Sequence, residues 1–154
     1  MPVSAEHQVV LALQSALEEI TVANGYETEV HEVILYDKPL DDIPVSPSIM
    51  IATLGTTEDQ TRFANKNEVS LRVLMRLSIE EYTQEHDDVG NFVSDVKKRI
   101  FSEGSIFLAG TCRLISFVST ERFHEDEYNP HAGADVVLSI LFRHSLADPF
   151  TPTP

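Results

Sequence analysis

His124, Glu125, Asp126 and Glu127 stand side by side, and each is a residue type that ligates metals or carries protons. Their spacing argues against a shared site. Neighbours on an extended chain point in opposite directions, unlike the i, i+4 histidine pair of a helical zinc site. His86, Asp87 and Asp88 form a second such cluster where a helix should begin, and there acids cap free amides. Isolated histidines such as His7, His31 and His144 read as ordinary surface or interface residues. Cys112 lies in an apolar stretch, which suits a small buried hydrophobe better than a reactive thiol. No serine sits in a Gly-x-Ser-x-Gly elbow, and no dinucleotide or phosphate-loop glycine pattern occurs. Paired carboxylates could serve as acid and base, but 25 acidic residues offer many pairs and single out none. The residues therefore predict no catalytic, cofactor-binding or metal site.

Two features outlast that search. Arg72 and Arg76 fall on one side of an alternating stretch, with Leu74 between them. They form either a solvated face or a subunit interface, where arginine is enriched. Glu121, Glu125, Asp126 and Glu127 gather around Arg122 in a short acidic loop that also holds Phe123 and Tyr128. The acids suit a solvated hairpin tip. The two aromatics suggest that the tip packs on something, such as a neighbouring subunit.

The elements that must carry these residues follow from hydrophobic periodicity. Ser4 caps a first helix whose apolar stripe is Val9, Val10, Leu13, Ala16, Leu17 and Ile20, and Asn24-Gly25 stops it. A strand is expected over 26–36, then a proline-rich loop, then a strand over 48–54. The polar run 55–67 reads as a connection. Residues 68–82 alternate most cleanly, with Val69, Leu71, Val73, Met75, Leu77 and Ile79 on one face. A second helix, capped by Asp87 or Asp88, carries Val89, Phe92, Val93, Val96 and Ile100 and ends at Gly104. Strands are expected over 111–123 and 134–146, joined by an acidic turn, and the last eight residues hold three prolines. Strands that follow directly on strands indicate antiparallel pairing. The expected fold is α+β: a mixed or antiparallel sheet with two helices packed on one face, in one compact domain over 1–146, with an extended proline-rich tail over 147–154.

Composition narrows the function. The 154 residues are 42% hydrophobic and 23% charged, which fits a single soluble domain. No apolar run is long enough to cross a bilayer, and Glu6 precedes the first apolar stretch where a secretory signal would need a basic leader. A single cysteine forms no internal disulfide and fits a reducing cytosol. The formal charge of −14 should repel a phosphate backbone. The closest approach to a basic cluster, Lys97-Lys98-Arg99, lies at a helix end, where cations offset the macrodipole.

The stretch "LQSALEEITVANGYETEVHEVILYDKPLDDIPVSPSIMIA", with the later "VGNFVSDVKKRIF", "LISFVSTERF" and "ADVVLSILFRH", resembles the tail terminator (tail completion, minor tail protein U-like) family of long-tailed bacteriophages. The likeness spans roughly residues 8–145, and "ITVANGY" is its most distinctive piece. It implies a virion structural protein, assembled in the host cytoplasm, that works without a cofactor or a reaction. Such proteins form a ring, usually hexameric, on the head-proximal end of the tail tube. The ring ends polymerisation of the tube protein and provides the docking surface for the head–tail connector. In contractile tails it also meets the sheath protein. DNA passes through the lumen without being specifically bound, and no membrane is involved. In that setting Glu121, Glu125, Asp126 and Glu127 become candidates for an acidic lumen or interface loop. Arg72, Arg76, Phe123 and Tyr128 become candidates for the subunit interface. Three other readings compete: another neck component of the same fold, a small carboxylate-using α+β enzyme, and a cellular domain that binds a peptide by strand addition.

Overall fold

The computed structural model describes residues 3–36, 46–61, 65–80, 87–102, 110–124 and 132–154. Helix α1, Ala5–Glu18, starts where Ser4 accepts a hydrogen bond from the His7 amide. It buries Val9, Val10, Leu13, Ala16 and Leu17 along its expected stripe. A single 3-10 turn, Val22–Asn24, follows and ends on Gly25, whose φ of 87° lies in the left-handed region that glycine tolerates.

The strands are β1 (Glu32–Leu35), β2 (Ser48–Thr61), β3 (Lys66–Ile79), β4 (Leu114–His124), β5 (Ala132–Ser145) and β6 (Asp148–Thr153). They form one mixed sheet in the order β1-β2-β3-β5-β4. β1 runs parallel to β2, and every other pairing is antiparallel. Helix α2, Asp88–Phe101, lies between β3 and β4 in the chain and contacts β3, β5 and α1. The described residues thus form an α+β protein with two α-helices, a predominantly strand framework and one hydrophobic core.

Period-two burial is sharpest in the middle of the sheet. Every odd residue of β3 from Asn67 to Ile79 is buried, as is every even residue of β5 from Ala132 to Phe142. Those side chains pack with Phe92, Val96 and Ile100 of α2 and with Leu13 and Leu17 of α1. The opposite parity carries Arg72, Leu74, Arg76, Asp135, Val137 and Ser139, all partly or fully exposed.

Several boundaries differ from the sequence expectation. Helix α1 ends at Glu18 with Glu19 as its C-cap, so Ile20 is buried beyond the helix, and Gly25 closes the 3-10 turn and not α1. The first strand covers only Glu32–Leu35, because the main chain before it is engaged elsewhere. The Thr28 amide donates to Asp95 Oδ2 on α2 at 2.7 Å, and the Val30 amide donates to the Ile20 carbonyl at 3.0 Å. The run expected as a connection is instead strand: β2 continues to Thr61, and β3 starts at Lys66. The second helix ends at Phe101, with Ser102 as its C-cap, while Gly104 lies outside the described residues. The last residues form β6, which turns back at Leu146-Ala147 and pairs with β5 through Ser145–Asp148 and Arg143–Thr153. β6 also touches α1, where the Gln8 side-chain Nε2 donates to the Phe150 carbonyl.

Candidate functional surface

The basic triplet at the end of α2 serves the chain's own packing. The Arg99 side chain is only 7% exposed. Its Nε donates to the Ala16 carbonyl at 2.9 Å, and its Nη2 bonds Glu19 at 2.7 Å. It therefore places a cation on the negative end of α1 and ties the two helices together. Lys98 donates to the Gly25 carbonyl at 2.8 Å and sits over the Tyr26 ring, while Lys97 sits over Phe117. At the other end of α2, Asp87 accepts from the Gly90 amide and from Arg122 of β4. The Arg122 guanidinium, with help from the Gly90 amide, holds the Asp87 carboxyl below its ordinary range.

Strand register decides which candidate residues meet. Arg76 lies opposite Asp135, and Glu121 lies opposite Asp135 from the other side. Arg76 grips Asp135 with Nε at 2.8 Å and Nη2 at 2.9 Å. Its guanidinium carbon lies 5.3 Å from the centroid of the Phe123 ring. Phe123 can lie flat on the sheet because its cross-strand partner is Gly133. A Cβ on Gly133 would clash with the Leu77 carbonyl and come within 2.7 Å of the Phe123 ring. Arg76, Phe123 and Glu121 thus share one patch on the sheet face opposite the core. Arg72 lies four residues along the same strand, exposed, and its side chain has no hydrogen bond or ion pair among the described residues. Glu125, Asp126, Glu127 and Tyr128 lie outside the described residues.

Sequence reading missed two parts of this surface. Asp135, the acid that fixes Arg76, becomes apparent only through the register of strands 59 residues apart. A second ion cluster, Glu68 with Arg143 at 3.0 Å and Arg113 at 3.5 Å, joins β3 to β5 and to the approach to β4. It too depends on register.

The edges of the sheet are the other prominent feature. β1 covers β2 only along Ser48–Ile51, so residues 53–60 of β2 pair with β3 alone among the described residues, and all eight are exposed. β4 forms the other edge and pairs with β5 alone among the described residues. Each edge strand carries a bulge, between Thr53 and Gly55 in β2 and between Phe117 and Ser119 in β4. The extra residues are Leu54 and Val118, exposed by 52% and 50%.

A cleft of about 350 Å³ opens between the start of α1 and the β1–β2 pair, lined by Ser4, Glu6, His7, Tyr36 and Thr53 among others. Cys112 is buried two residues before β4, and burial pushes its thiol up to about 11. No group of three or more ligating side chains converges among the described residues, and no described helix is long and apolar enough to cross a membrane. Compared with known proteins, the chain matches no family model, and no curated protein matches it.

Proposed function

We propose that this chain is a tail terminator of a long-tailed bacteriophage: a subunit of a ring, about six-fold, that caps the tail tube. A closed ring arises when one heterologous contact repeats with a rotation that closes, so each subunit must offer two different adhesive surfaces. The single observation that carries the reading is the pair of unlike, exposed strand edges: β4 at one end of the sheet order, and toward the other end the part of β2 that extends past its pairing with β1. The sequence resemblance through "ITVANGY" and the later strands supplies the identity of the assembly. The alternating burial of β3 and β5, and the contact between α1 and α2, support reading both helices as packed on one face of the sheet. That arrangement leaves the face bearing Arg72 and the Arg76–Asp135 pair for contacts with a neighbour, the tube protein or the head connector.

The formal charge of −14 suits a DNA conduit. An acidic lumen repels phosphates and keeps a passing duplex from sticking. Glu121, with the acidic residues that follow it, is the candidate for that lining.

The test is a tube-length assay. Purified chain is added to polymerising tail tube protein from the same phage, and the tubes are measured by electron microscopy. Shortened tubes with a ring on one end are expected. Tubes of unchanged length with bare ends would contradict the reading. Rings bound instead to the connector would identify a neighbouring neck component.

A further inference from the structure

We propose that residues 53–60 of β2 and residues 114–123 of β4 are the two halves of the subunit contact, the β2 edge of one copy adding alongside β4 of the next. The proposal deepens the ring reading and rests on it. It starts from an anomaly in β2. Residues 53–60 stay in strand conformation although all of their side chains face solvent. A strand with no buried side chain is held by its ladder alone, here the one to β3. Thr53, Thr56 and Thr57 are β-branched, suited to a pleated surface that is covered.

Soluble proteins blunt such edges with charges or prolines, or with a bulge that turns the strand away. Both edges here have the bulge, yet each spends its extra residue on a large apolar side chain, Leu54 and Val118. A bulge re-aims a side chain, so each edge presents an apolar knob beside unpaired main-chain groups. On the β4 side, exposed Leu114 and Phe101 widen the apolar surface.

Charge makes the two edges complementary. Between residues 53 and 61, β2 carries Glu58 and Asp59 and no cation. Beside β4 stand Arg113, just before the strand, and Arg122 within it; they are ion-paired to Glu68 and Asp87, yet their side chains stay 52% and 59% exposed and open to a second carboxylate, with Lys97 over the Phe117 ring nearby. In a chain with only 11 lysines and arginines against 25 acids, these exposed guanidiniums beside one edge are the groups that can receive Glu58 and Asp59 of a second copy. Two copies of β2 would instead face each other with four carboxylates and no counter-charge. The contact is therefore heterologous, as a ring requires. Main-chain bonds supply the attachment, and the bulge residues and charges fix the register.

The experiment uses the full chain with Cys112→Ala as background. Single variants Glu58→Cys and Ser119→Cys are compared with the double variant, with Gln60 and Ser116 as alternative positions. All are oxidised alone and with tail tubes added. The double variant should give a covalent ladder that stops at the ring size, at least roughly tenfold faster than either single variant forms dimers, because the contact raises the local thiol concentration. A second variant, Glu58→Lys with Asp59→Lys, alters only exposed positions and should weaken assembly by at least about tenfold. Rings that form without a ladder at any position pair, and that tolerate the lysine variant, would overturn the edge contact and leave the ring reading intact. A ladder that never closes would support the edge contact and overturn the ring. Absence of both ring and ladder, with tubes present, would overturn both.

Discussion

Arg76 and Asp135 are locked in a two-pronged ion pair at 2.8 and 2.9 Å, with the guanidinium stacked over Phe123. The pair is half-exposed on its arginine side, so its contribution to stability should stay below about 1 kcal/mol. Arg76→Ala should therefore fold normally, with a small loss in a urea melt. Gly133→Ala should cost more, about 1–3 kcal/mol, because the added methyl group has no space between the Leu77 carbonyl and Phe123. If the order of the two losses were reversed, the packing of Phe123 on Gly133 would be wrong.

Arg72 is the contrasting case, exposed and without a partner among the described residues. Arg72→Glu should leave the unfolding free energy from a urea melt within about 0.5 kcal/mol of the parent. In the proposed assembly it should weaken binding to a neighbour or to the tube, read by co-sedimentation with tail tubes. Unchanged co-sedimentation would remove Arg72 from the docking surface.

The bond between Arg99 and Glu19 should behave asymmetrically. Glu19 is 62% exposed on its side chain, so Glu19→Gln should cost less than about 1 kcal/mol. Arg99→Met removes a buried cation bonded to the Ala16 carbonyl as well, and should cost about 2–3 kcal/mol. Thermal melts of the two variants check this, and equal losses would contradict the assigned geometry.

Acid should loosen the ends of two elements. Asp87 caps α2 and is held below its ordinary value of 3.8 by Arg122 and then by the Gly90 amide. Asp148 opens β6 and is held below the same value by the Thr151 hydroxyl and then by the Phe150 amide. A carboxyl depressed in the folded state stabilises above its unfolded pKa, and that contribution fades as pH falls through the folded value. Melting temperature should therefore drop as pH goes below 3.8, and Asp148→Asn should flatten part of the drop. Hydrogen exchange at Phe150 should accelerate over the same window. Exchange that is independent of pH there, after correction for intrinsic rates, would show that Asp148 does not hold the strand.

The acidic loop offers a test of the DNA conduit. Neutralising Glu125, Asp126 and Glu127 together should make rings retain DNA or slow genome ejection, because the repulsion of phosphate falls. Normal ejection from particles carrying the variant, with no DNA bound, would refute the lumen role of that loop.

How much of this was legible in the sequence depends on where the burial pressure lies. β3 could be read directly, because Val69 to Ile79 face the core at every second residue. The outer half of β2 could not, because none of the side chains over 53–60 is buried and its strand character comes from main-chain pairing with β3. The segment before β1 misled for the opposite reason. Its residues suit a strand, but the Thr28 amide is claimed by Asp95, a residue 67 positions away. The tail was legible as extended, but not as paired, since prolines withhold donors without preventing a strand at the margin of a sheet. Within the candidate surface, Arg72 and Arg76 were visible from alternation. The partnership of Arg76 with Asp135 and Phe123 depends on register and was not.

The most direct test of the ring itself is the native mass of the full chain across a wide concentration range, with and without tail tubes, alongside negative-stain images of the same samples. The account predicts closed rings of about six subunits with an open centre, either free or seated on tube ends. A monomer or dimer at every concentration, leaving the tube ends bare, would contradict it.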